Sequence, residues 1–375
     1  MDDRPRPVVV LDMSQAKVLS AFDQEDRALP ALLVEIPENS QPAAAGILSQ
    51  SSRQISQVRR KYGPQVPLVG GLPPTGLQLE PFGETTFLEM ISIYLSQATA
   101  LKAAGCEVIL IHSLPTLAEA RAALLGARAT GLPVWITVAL HHSGEELSEG
   151  DSILPTFFSL QALGASGFGF SRPLSPGEML PLFEEIAPYA TIPLIALPDC
   201  LDEEREEVLT PADFGQLCRS SALLGVEIVG GGYGAGSAHI LEARDVLNET
   251  LPQVEKVDLS DTIVLCNPDE VFYLDENLEF SEPIPCGVDM AEDFFQAEDS
   301  GCDVLCVEVD TLDDAYHLSL NSHLARLPIG LRSDSIEALD MALLLFNGRV
   351  LLDSRSQLER EELEELAARY GTLVL

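Results

Sequence analysis

Side chains that can bind a metal ion follow three of the predicted strands in the first two thirds of the chain. They are His112, His141, Asp199 and Cys200. Ligands of these types suit zinc, which takes four of them in a tetrahedral arrangement. Ordinary polar loop residues would give the same pattern, because a position at a strand end does not fix ligand geometry. No metal is therefore expected, and this set is kept as the alternative.

A glycine-rich loop with the sequence VGGGYG occupies residues 229–234. Backbone N–H groups in such a loop favour negative charge, and an arginine adds a bidentate donor for a carboxylate. Tyr233 and Arg172 are thus one candidate pair for a small anion site. In the alternative that we favour, Tyr233 fills the pocket and Arg172 pairs with a nearby acid. The candidate substrate-binding residues are Asp12, His112, Arg172, Asp199 and Tyr233, and no catalytic residue is assigned.

Short apolar runs alternate with helical patterns over most of the first 250 residues. The predicted strands are residues 8–11, 32–36, 67–69, 108–111, 134–139, 167–170, 193–196 and 226–229. Helical patterns lie between them, for example at 117–129 and 176–186. This alternation predicts an α/β fold, most simply a TIM-type (β/α)8 barrel of parallel strands with crossover helices. Active sites of such barrels lie at the carboxyl ends of the strands, where the candidate residues fall.

A second α/β pattern follows the first. Its predicted strands are residues 263–266, 303–309, 328–331, 349–352 and 372–375, with helical patterns at 336–346 and 358–370. These are about half the repeats of a closed barrel, so the segment predicts a partial α/β barrel-like domain. A half barrel leaves sheet edges unpaired, so the first domain or another chain is expected to cover it. The predicted domains are residues 1–250 and 257–375, joined by an acidic stretch.

Composition excludes several classes of protein. The 375 residues carry 22 Lys and Arg against 59 Asp and Glu, a formal net charge of −37. This charge repels phosphate backbones and anionic lipids, so neither nucleic acid nor membrane is expected as a partner. The seven cysteines are dispersed without a Cys-x-x-Cys pair, which is typical of reduced thiols in a cytoplasmic protein. The N-terminal residues lack the pattern of a secretory signal.

Three segments of the first domain resemble the homocysteine S-methyltransferase family. They are the VGGGYG loop, the stretch VGGLPPTGLQLEPFG at residues 69–83, and the stretch PGEMLPL at residues 176–182. Taken in order, they are most similar to the N-terminal module of cobalamin-dependent methionine synthase. The second segment resembles the pterin-binding (methyltetrahydrofolate) module that follows it in those enzymes. The motifs concerned are VLCVEVD at 304–310, LPIGLRSDS at 327–335 and RVLLDSRS at 349–356.

The first resemblance implies a zinc ion held by three cysteines, which activates a thiol substrate as its thiolate. This sequence has Ser171 and Arg172 at the first ligand position, and Gly232 and Tyr233 at the other two. A fixed positive charge on Arg172 would oppose a cation there. Zinc is therefore not expected.

Other substrate positions also depart from the family pattern. The Glu-Thr pair that the family uses around the substrate amine is replaced by His112 and Ser113, whereas Asp12 matches the family's first-strand Asp. In the pterin-like segment the matching strand-end positions are Glu308, Arg332 and Asp353. A complete folate site is not expected in this chain alone, so folate or a corrinoid would act only through a partner.

The resemblance places the chain in one-carbon metabolism and methionine biosynthesis. The leading prediction is a homocysteine S-methyltransferase-like pseudoenzyme that binds a small molecule or a partner without zinc-thiolate catalysis. One alternative is an active methyltransferase, to a thiol or another small acceptor, with a rebuilt site. Another is a structural or regulatory subunit of a corrinoid or folate methyltransferase assembly, in which the half barrel is completed by another subunit. The partners considered are therefore a corrinoid or folate methyltransferase and, as a homo-oligomer, a second copy of this chain.

Overall fold

The computed structural model describes residues 9–12, 31–35, 52–53, 55–56, 59–60, 68–140, 146–171, 176–202, 207–232, 234–247 and 254–375. The chain divides into two compact units. Unit 1 contains residues 1–150 and 165–257, and unit 2 contains residues 151–164 and 258–375. None of the described helices is long and apolar enough to cross a membrane.

Eight parallel strands of unit 1 form a closed barrel. They are β1 (Val9–Asp12), β2 (Ala31–Glu35), β3 (Leu68–Leu72), β4 (Val108–Leu114), β5 (Val134–Ala139), β6 (Gly167–Ser171), β7 (Leu194–Leu197) and, after a short antiparallel hairpin, β10 (Val226–Gly230). The hairpin consists of β8 (Leu201–Asp202) and β9 (Glu207–Val208). Neighbouring barrel strands follow each other in the chain, and β10 closes the ring against β1. The predicted TIM-type barrel is confirmed, with each predicted strand within a few residues of its observed position.

An apolar cluster fills the inside of the barrel. It contains Val69 of β3, Leu110 of β4, Ile195 and Leu197 of β7, and Ile228 of β10. Because β4 and β7 are not neighbours in the sheet, these side chains meet only by pointing inward. The polar residues at the carboxyl ends of the strands therefore border a packed apolar barrel interior.

Helices α1 (Phe87–Ala104), α2 (Leu117–Arg128), α4 (Pro176–Ile186), α5 (Pro211–Leu223) and α6 (Ser237–Val246) belong to unit 1. Their starts follow local capping chemistry: the hydroxyls of Thr86, Thr116 and Thr210 accept the N–H of the residue three positions later in α1, α2 and α5. At the start of α6 the capping side chain belongs to the third helical residue instead of the N-cap residue. His239 Nδ1 accepts the N–H of the N-cap residue Gly236 at 3.1 Å.

Unit 2 is built on a five-stranded parallel sheet. The sheet order is β13 (Ile284–Pro285), β14 (Leu305–Glu308), β15 (Ile329–Arg332), β16 (Leu351–Leu352) and β17 (Leu373–Val374), and an antiparallel pair, β11 (Ile263–Cys266) and β12 (Val271–Leu274), precedes it. Its helices are α3 (Ile153–Ala162), α7 (Ala291–Glu298), α8 (Leu312–Asn321), α9 (Ile336–Leu345) and α10 (Arg360–Tyr370). This is the predicted partial barrel-like pattern, with β12 and β13 in addition to the predicted strands.

Candidate functional site

The described candidate residues lie at the carboxyl ends of barrel strands, as predicted. Asp12 ends β1, His112 lies near the end of β4, and Asp199 and Cys200 follow β7. For Asp12 the structure describes the backbone alone. His141, Arg172 and Tyr233 lie outside the described residues, so their places in the site stay predictions.

Three hydroxyl side chains that the sequence analysis did not connect form a hydrogen-bonded cluster. Thr137 donates its hydroxyl to Ser171 Oγ at 3.0 Å, and the Ser113 N–H donates to the same oxygen at 3.0 Å. The hydroxyls of Ser113 and Ser171 lie 3.1 Å apart. Because β4 and β6 are not neighbours in the sheet, this contact crosses the inside of the barrel near its carboxyl end.

Ser113, a member of this cluster, has an uncommon backbone conformation. Its φ is 60°, in the left-handed region where residues other than glycine are uncommon, and the pairing of β4 with β5 shifts register at this point. The conformation aims the Ser113 N–H at Ser171 and Thr137. Strain of this kind, on the order of 1 kcal/mol, persists where the surrounding contacts impose it, and such positions cluster at binding sites.

Asp199 stands against the glycine loop that follows β10. The Gly232 N–H donates to the Pro198 carbonyl at 2.8 Å, which fixes the two strand ends to each other. A Cβ atom at Gly232 would lie 2.1 Å from Asp199 Oδ1 and 3.2 Å from the Leu197 carbonyl oxygen. Any side chain at this position would therefore force the Asp199 carboxyl group to turn away. The carboxyl group takes the space that a side chain at residue 232 would occupy.

The other described members of the alternative metal set are buried. His112 is 8% exposed, with Nδ1 3.4 Å from Ser113 Oγ. Burial, together with the charge of Asp199, raises the pKa of the Cys200 thiol to about 12. Within the described ranges no group of three or more His, Cys, Asp or Glu residues could hold a metal ion. His112, Asp199 and Cys200 thus do not form a site by themselves, and the set that includes His141 stays a prediction.

A buried carboxyl group anchors the loop that follows β3. Glu119 Oε1 accepts three hydrogen bonds of 2.8 Å, from the N–H and hydroxyl of Thr75 and from the Tyr94 hydroxyl. Burial and the adjacent Glu119 raise the pKa of Tyr94 well above its ordinary value. The sequence contains only an indirect signal of the contact between Glu119 and Thr75. Thr116 and Glu119 have the spacing of a capping box, yet the Glu119 side chain binds Thr75 instead of the helix start.

Replacing Glu119 by alanine is expected to loosen this loop. The substitution leaves the Thr75 N–H and the Tyr94 hydroxyl without their acceptor, which costs about 2–4 kcal/mol of barrel stability. Urea unfolding followed by the fluorescence of Trp135, the single tryptophan, measures the loss. Glu89→Ala, which removes only the exposed carboxyl acceptor of the Thr86 N–H at the start of α1, is the control and is expected to cost much less than Glu119→Ala. Equal losses in the two variants would contradict the anchoring role.

Glu308, Arg332 and Asp353, the strand-end positions that the sequence analysis compared with a pterin site, belong to an ion-pair cluster of unit 2. Arg332 donates to Asp353 Oδ2 from Nε at 2.9 Å and from Nη2 at 2.6 Å, and Arg355 Nε donates to Oδ1 at 2.9 Å. Glu308 lies 3.9 Å from Arg332 Nη1. Burial opposes ionisation of Asp353, but the hydrogen bonds from Arg355 and Arg332 outweigh it and lower the pKa of Asp353 to about 2. Both oxygens of Asp353 are therefore committed within the protein.

The closed barrel with polar groups at its strand ends defines a TIM-barrel protein with a strand-end site. A sequence model described as homocysteine S-methyltransferase matches residues 34–247, more than half of the chain. The chain belongs to the homocysteine S-methyltransferase family.

Two methionine synthases are similar to about half of this chain. The methionine synthase of Mycobacterium tuberculosis is 27% identical over 208 residues, which are 52% of this chain and 17% of that protein. The methionine synthase of Mycobacterium leprae is 24% identical over 205 residues, 50% of this chain and 17% of that protein. The chain thus matches about a sixth of the length of these relatives.

The apo form of the Escherichia coli homocysteine methyltransferase MmuM matches with a TM-score of 0.50 at 14% identity. The match covers 64% of this chain and 96% of that structure. At this identity the likeness shows the fold alone.

Proposed function

We propose that this chain is a homocysteine S-methyltransferase-family protein of methionine metabolism that binds a small molecule or a partner without zinc-thiolate catalysis. The observation that carries the proposal is the Asp199 carboxyl group in the side-chain space of Gly232. Two further observations, from Ser171 and from unit 2, support it.

The chemistry of thiol methylation explains why these positions matter. A thiol is mostly protonated at neutral pH, and its thiolate is the nucleophile. Zinc bound to the sulfur lowers the thiol pKa and acts as a Lewis acid, provided that protein ligands hold it and leave one position open. Gly232 supplies no ligand, and a cysteine placed there would meet Asp199. The residues present at this position do not fit a thiolate-held zinc ion.

Ser171 is equally unsuited to the role of a ligand. Its oxygen accepts hydrogen bonds from the Thr137 hydroxyl and the Ser113 N–H, which use both lone pairs. Its own hydroxyl has two acceptors within reach, the Val138 carbonyl oxygen at 3.4 Å and Ser113 Oγ at 3.1 Å. A metal ion at this oxygen would have to break the cluster. The hydroxyl of Ser113, which is partly exposed, is the group of this cluster that a bound molecule can reach.

In unit 2 the polarity of the strand-end groups also differs from a pterin site. Pterin rings present N–H donors, so acceptor groups with free lone pairs suit them. Asp353 is saturated by Arg332 and Arg355, and Arg332 itself is a donor. This supports the expectation that folate or a corrinoid would act only through a partner.

Metal content tests the proposal directly. Elemental mass spectrometry of the purified, untagged protein is expected to find far less than one zinc per chain. Homocysteine-dependent demethylation of a methyl donor is expected at background rate, with or without a chelator. Stoichiometric zinc together with chelator-sensitive turnover would overturn the proposal in favour of a rebuilt active site.

Two variants separate these outcomes at the residue level. If Asp199 is a ligand of a rebuilt site, Asp199→Ala lowers the metal content and Cys200→Ser lowers it further. Under the proposal both variants retain the metal content of the wild type, since neither residue holds an ion.

A further inference from the structure

An apolar stripe on the outer face of α8 and the 3-10 turn after it has no covering element within the described residues. Its members are Leu312, Tyr316, Leu320 and Leu324, exposed by 55%, 46%, 36% and 38%. Leu312, Tyr316 and Leu320 recur every four residues, which places them along one side of α8 over about 12 Å, and Leu324 follows in the 3-10 turn. Val288 and Phe295, on the preceding segments of unit 2, are also exposed.

The inner face of the same helix is fully used, so the stripe is a second apolar face. Ala315 and Leu318 are buried in the core of unit 2. The Asn321 amide donates to the Val288 carbonyl at 3.3 Å, and Asn321 Oδ1 accepts the Met290 N–H at 3.2 Å. A surface helix of a globular protein has one apolar stripe facing the core and a polar opposite face. The outer face of α8 departs from this pattern, and contiguous exposed apolar side chains occur at interaction surfaces.

The charges beside the stripe indicate what covers it. Asp313, in the first turn of α8, and His323, just beyond its end, are both exposed. If two copies of α8 lie antiparallel about a two-fold axis near residue 318, Leu312 faces Leu324 of the other copy. In the same arrangement Asp313 faces His323, and Tyr316 faces Leu320. The stripe is therefore complementary to itself, which is the requirement for a symmetric dimer interface.

We propose that α8 and the 3-10 turn form a homodimer interface with the same surface of a second copy. The apolar stripes pack in the centre, and two Asp313–His323 contacts fix the antiparallel register. The antiparallel arrangement also places the positive end of each helix dipole beside the negative end of the other, which is favourable. The inference does not depend on the chemistry of the barrel.

The overall charge sets the expected strength of the dimer. Each copy carries a net charge of −37, so two copies repel each other at low ionic strength. Added salt screens this repulsion, because the Debye length falls from about 30 Å at 0.01 M to about 8 Å at 0.15 M. A pair of short helices buries less area than most stable interfaces, so the dimer is expected to dissociate on dilution and to tighten with salt.

Sedimentation equilibrium of the full chain over a wide concentration range tests the inference. The expected result is a reversible shift from the monomer mass of 40.5 kDa to twice that mass. Leu320→Ser is expected to raise the dissociation constant of the dimer about tenfold or more, because the residue occurs twice in a symmetric interface. Leu223→Ser, which changes an equally exposed leucine of α5, is the matched control and leaves the constant unchanged.

A charge swap tests the register. Asp313→Lys places an ammonium group opposite His323, and His323→Glu places two carboxylates opposite each other. Each single variant is therefore expected to weaken the dimer. The double variant restores an attractive pair and recovers the affinity. A monomer at every concentration would overturn the inference. So would a dimer that Leu320→Ser leaves intact, or a double variant no tighter than the single ones. Circular dichroism verifies that each variant is folded.

Discussion

Gly169→Ala is expected to cost at least about 4 kcal/mol of barrel stability, which is exceptional for the addition of one methyl group. A Cβ atom at Gly169 would lie 1.7 Å from the Ile195 carbonyl oxygen and 2.5 Å from its carbonyl carbon. These atoms belong to the backbone of β7, so no side-chain rotation relieves the overlap, and β6 must move away from β7. Urea unfolding followed by Trp135 fluorescence measures the loss.

The same strand offers a matched control for this prediction. A Cβ atom at Gly167 would meet the side chains of Trp135 and Ile195 at 2.9 Å and 3.1 Å, and the nearest backbone atom at 3.4 Å. Side chains can shift, so Gly167→Ala is expected to cost about 1–2 kcal/mol. Similar losses in both variants would show that the backbone approach is not what limits position 169. Because Ser171 lies two residues along β6, we also expect Gly169→Ala to disturb the hydroxyl cluster.

Removal of the Asp353 carboxyl group is expected to destabilise unit 2 by about 2–3 kcal/mol. The Asp353 side chain is 2% exposed and holds both Arg332 and Arg355. Asp353→Ala leaves Arg332, itself largely buried, without its partner, which is the costly way to break a buried ion pair. Hydrogen exchange at the amides of β15 and β16 reports the loss within unit 2.

The pH dependence of the same ion pair follows from its lowered pKa. The ordinary pKa of an aspartate is 3.8, and that of Asp353 is about 2 in the folded protein. Its stabilising effect is therefore present above pH 4 and is lost as the pH falls from about 4 to 2, where the carboxylate must be protonated. The difference corresponds to about 2 kcal/mol. Asp353→Asn is expected to remove this part of the acid sensitivity of unit 2.

An exposed ion pair of the same unit is the control. Arg360 and Glu364 lie 2.8 Å apart on α10, with side chains 67% and 57% exposed. Glu364→Ala is expected to cost less than about 0.5 kcal/mol and to leave the acid sensitivity unchanged. If Glu364→Ala destabilises unit 2 as much as Asp353→Ala, burial is not the reason for the large stabilising effect of the Asp353 ion pair.

The barrel was predictable from sequence because its strands are buried runs of apolar residues bounded by turns. β5 was placed to the residue, and β4 was found but extends to Leu114. The strands that escaped prediction are short or lack such a run. β13 has two residues and includes Pro285, and β12 follows an acidic turn and is only partly buried. Here pairing with a neighbouring strand decides the conformation, and that information is not local.

The site was predictable only in part, for the same reason. Residues after strands, such as Asp199, could be placed at the carboxyl face by counting repeats. The hydroxyl cluster could not, since Ser113 and Ser171 are brought together by the closure of the sheet and by the φ of 60° at Ser113. The space conflict between Asp199 and Gly232 is likewise a product of the fold, because it joins the ends of β7 and β10.

The order of strands around the barrel has a consequence for synthesis on the ribosome. From β1 to β7 each new strand can pair with the one made just before it, but the ring closes only through pairs such as Val9 with Ile228. The outer edge of β1 must therefore wait until β10 has been made. During that interval an apolar edge is open to other nascent chains. We therefore expect the edge of β1 to stay open to intermolecular pairing until residue 230 has been made.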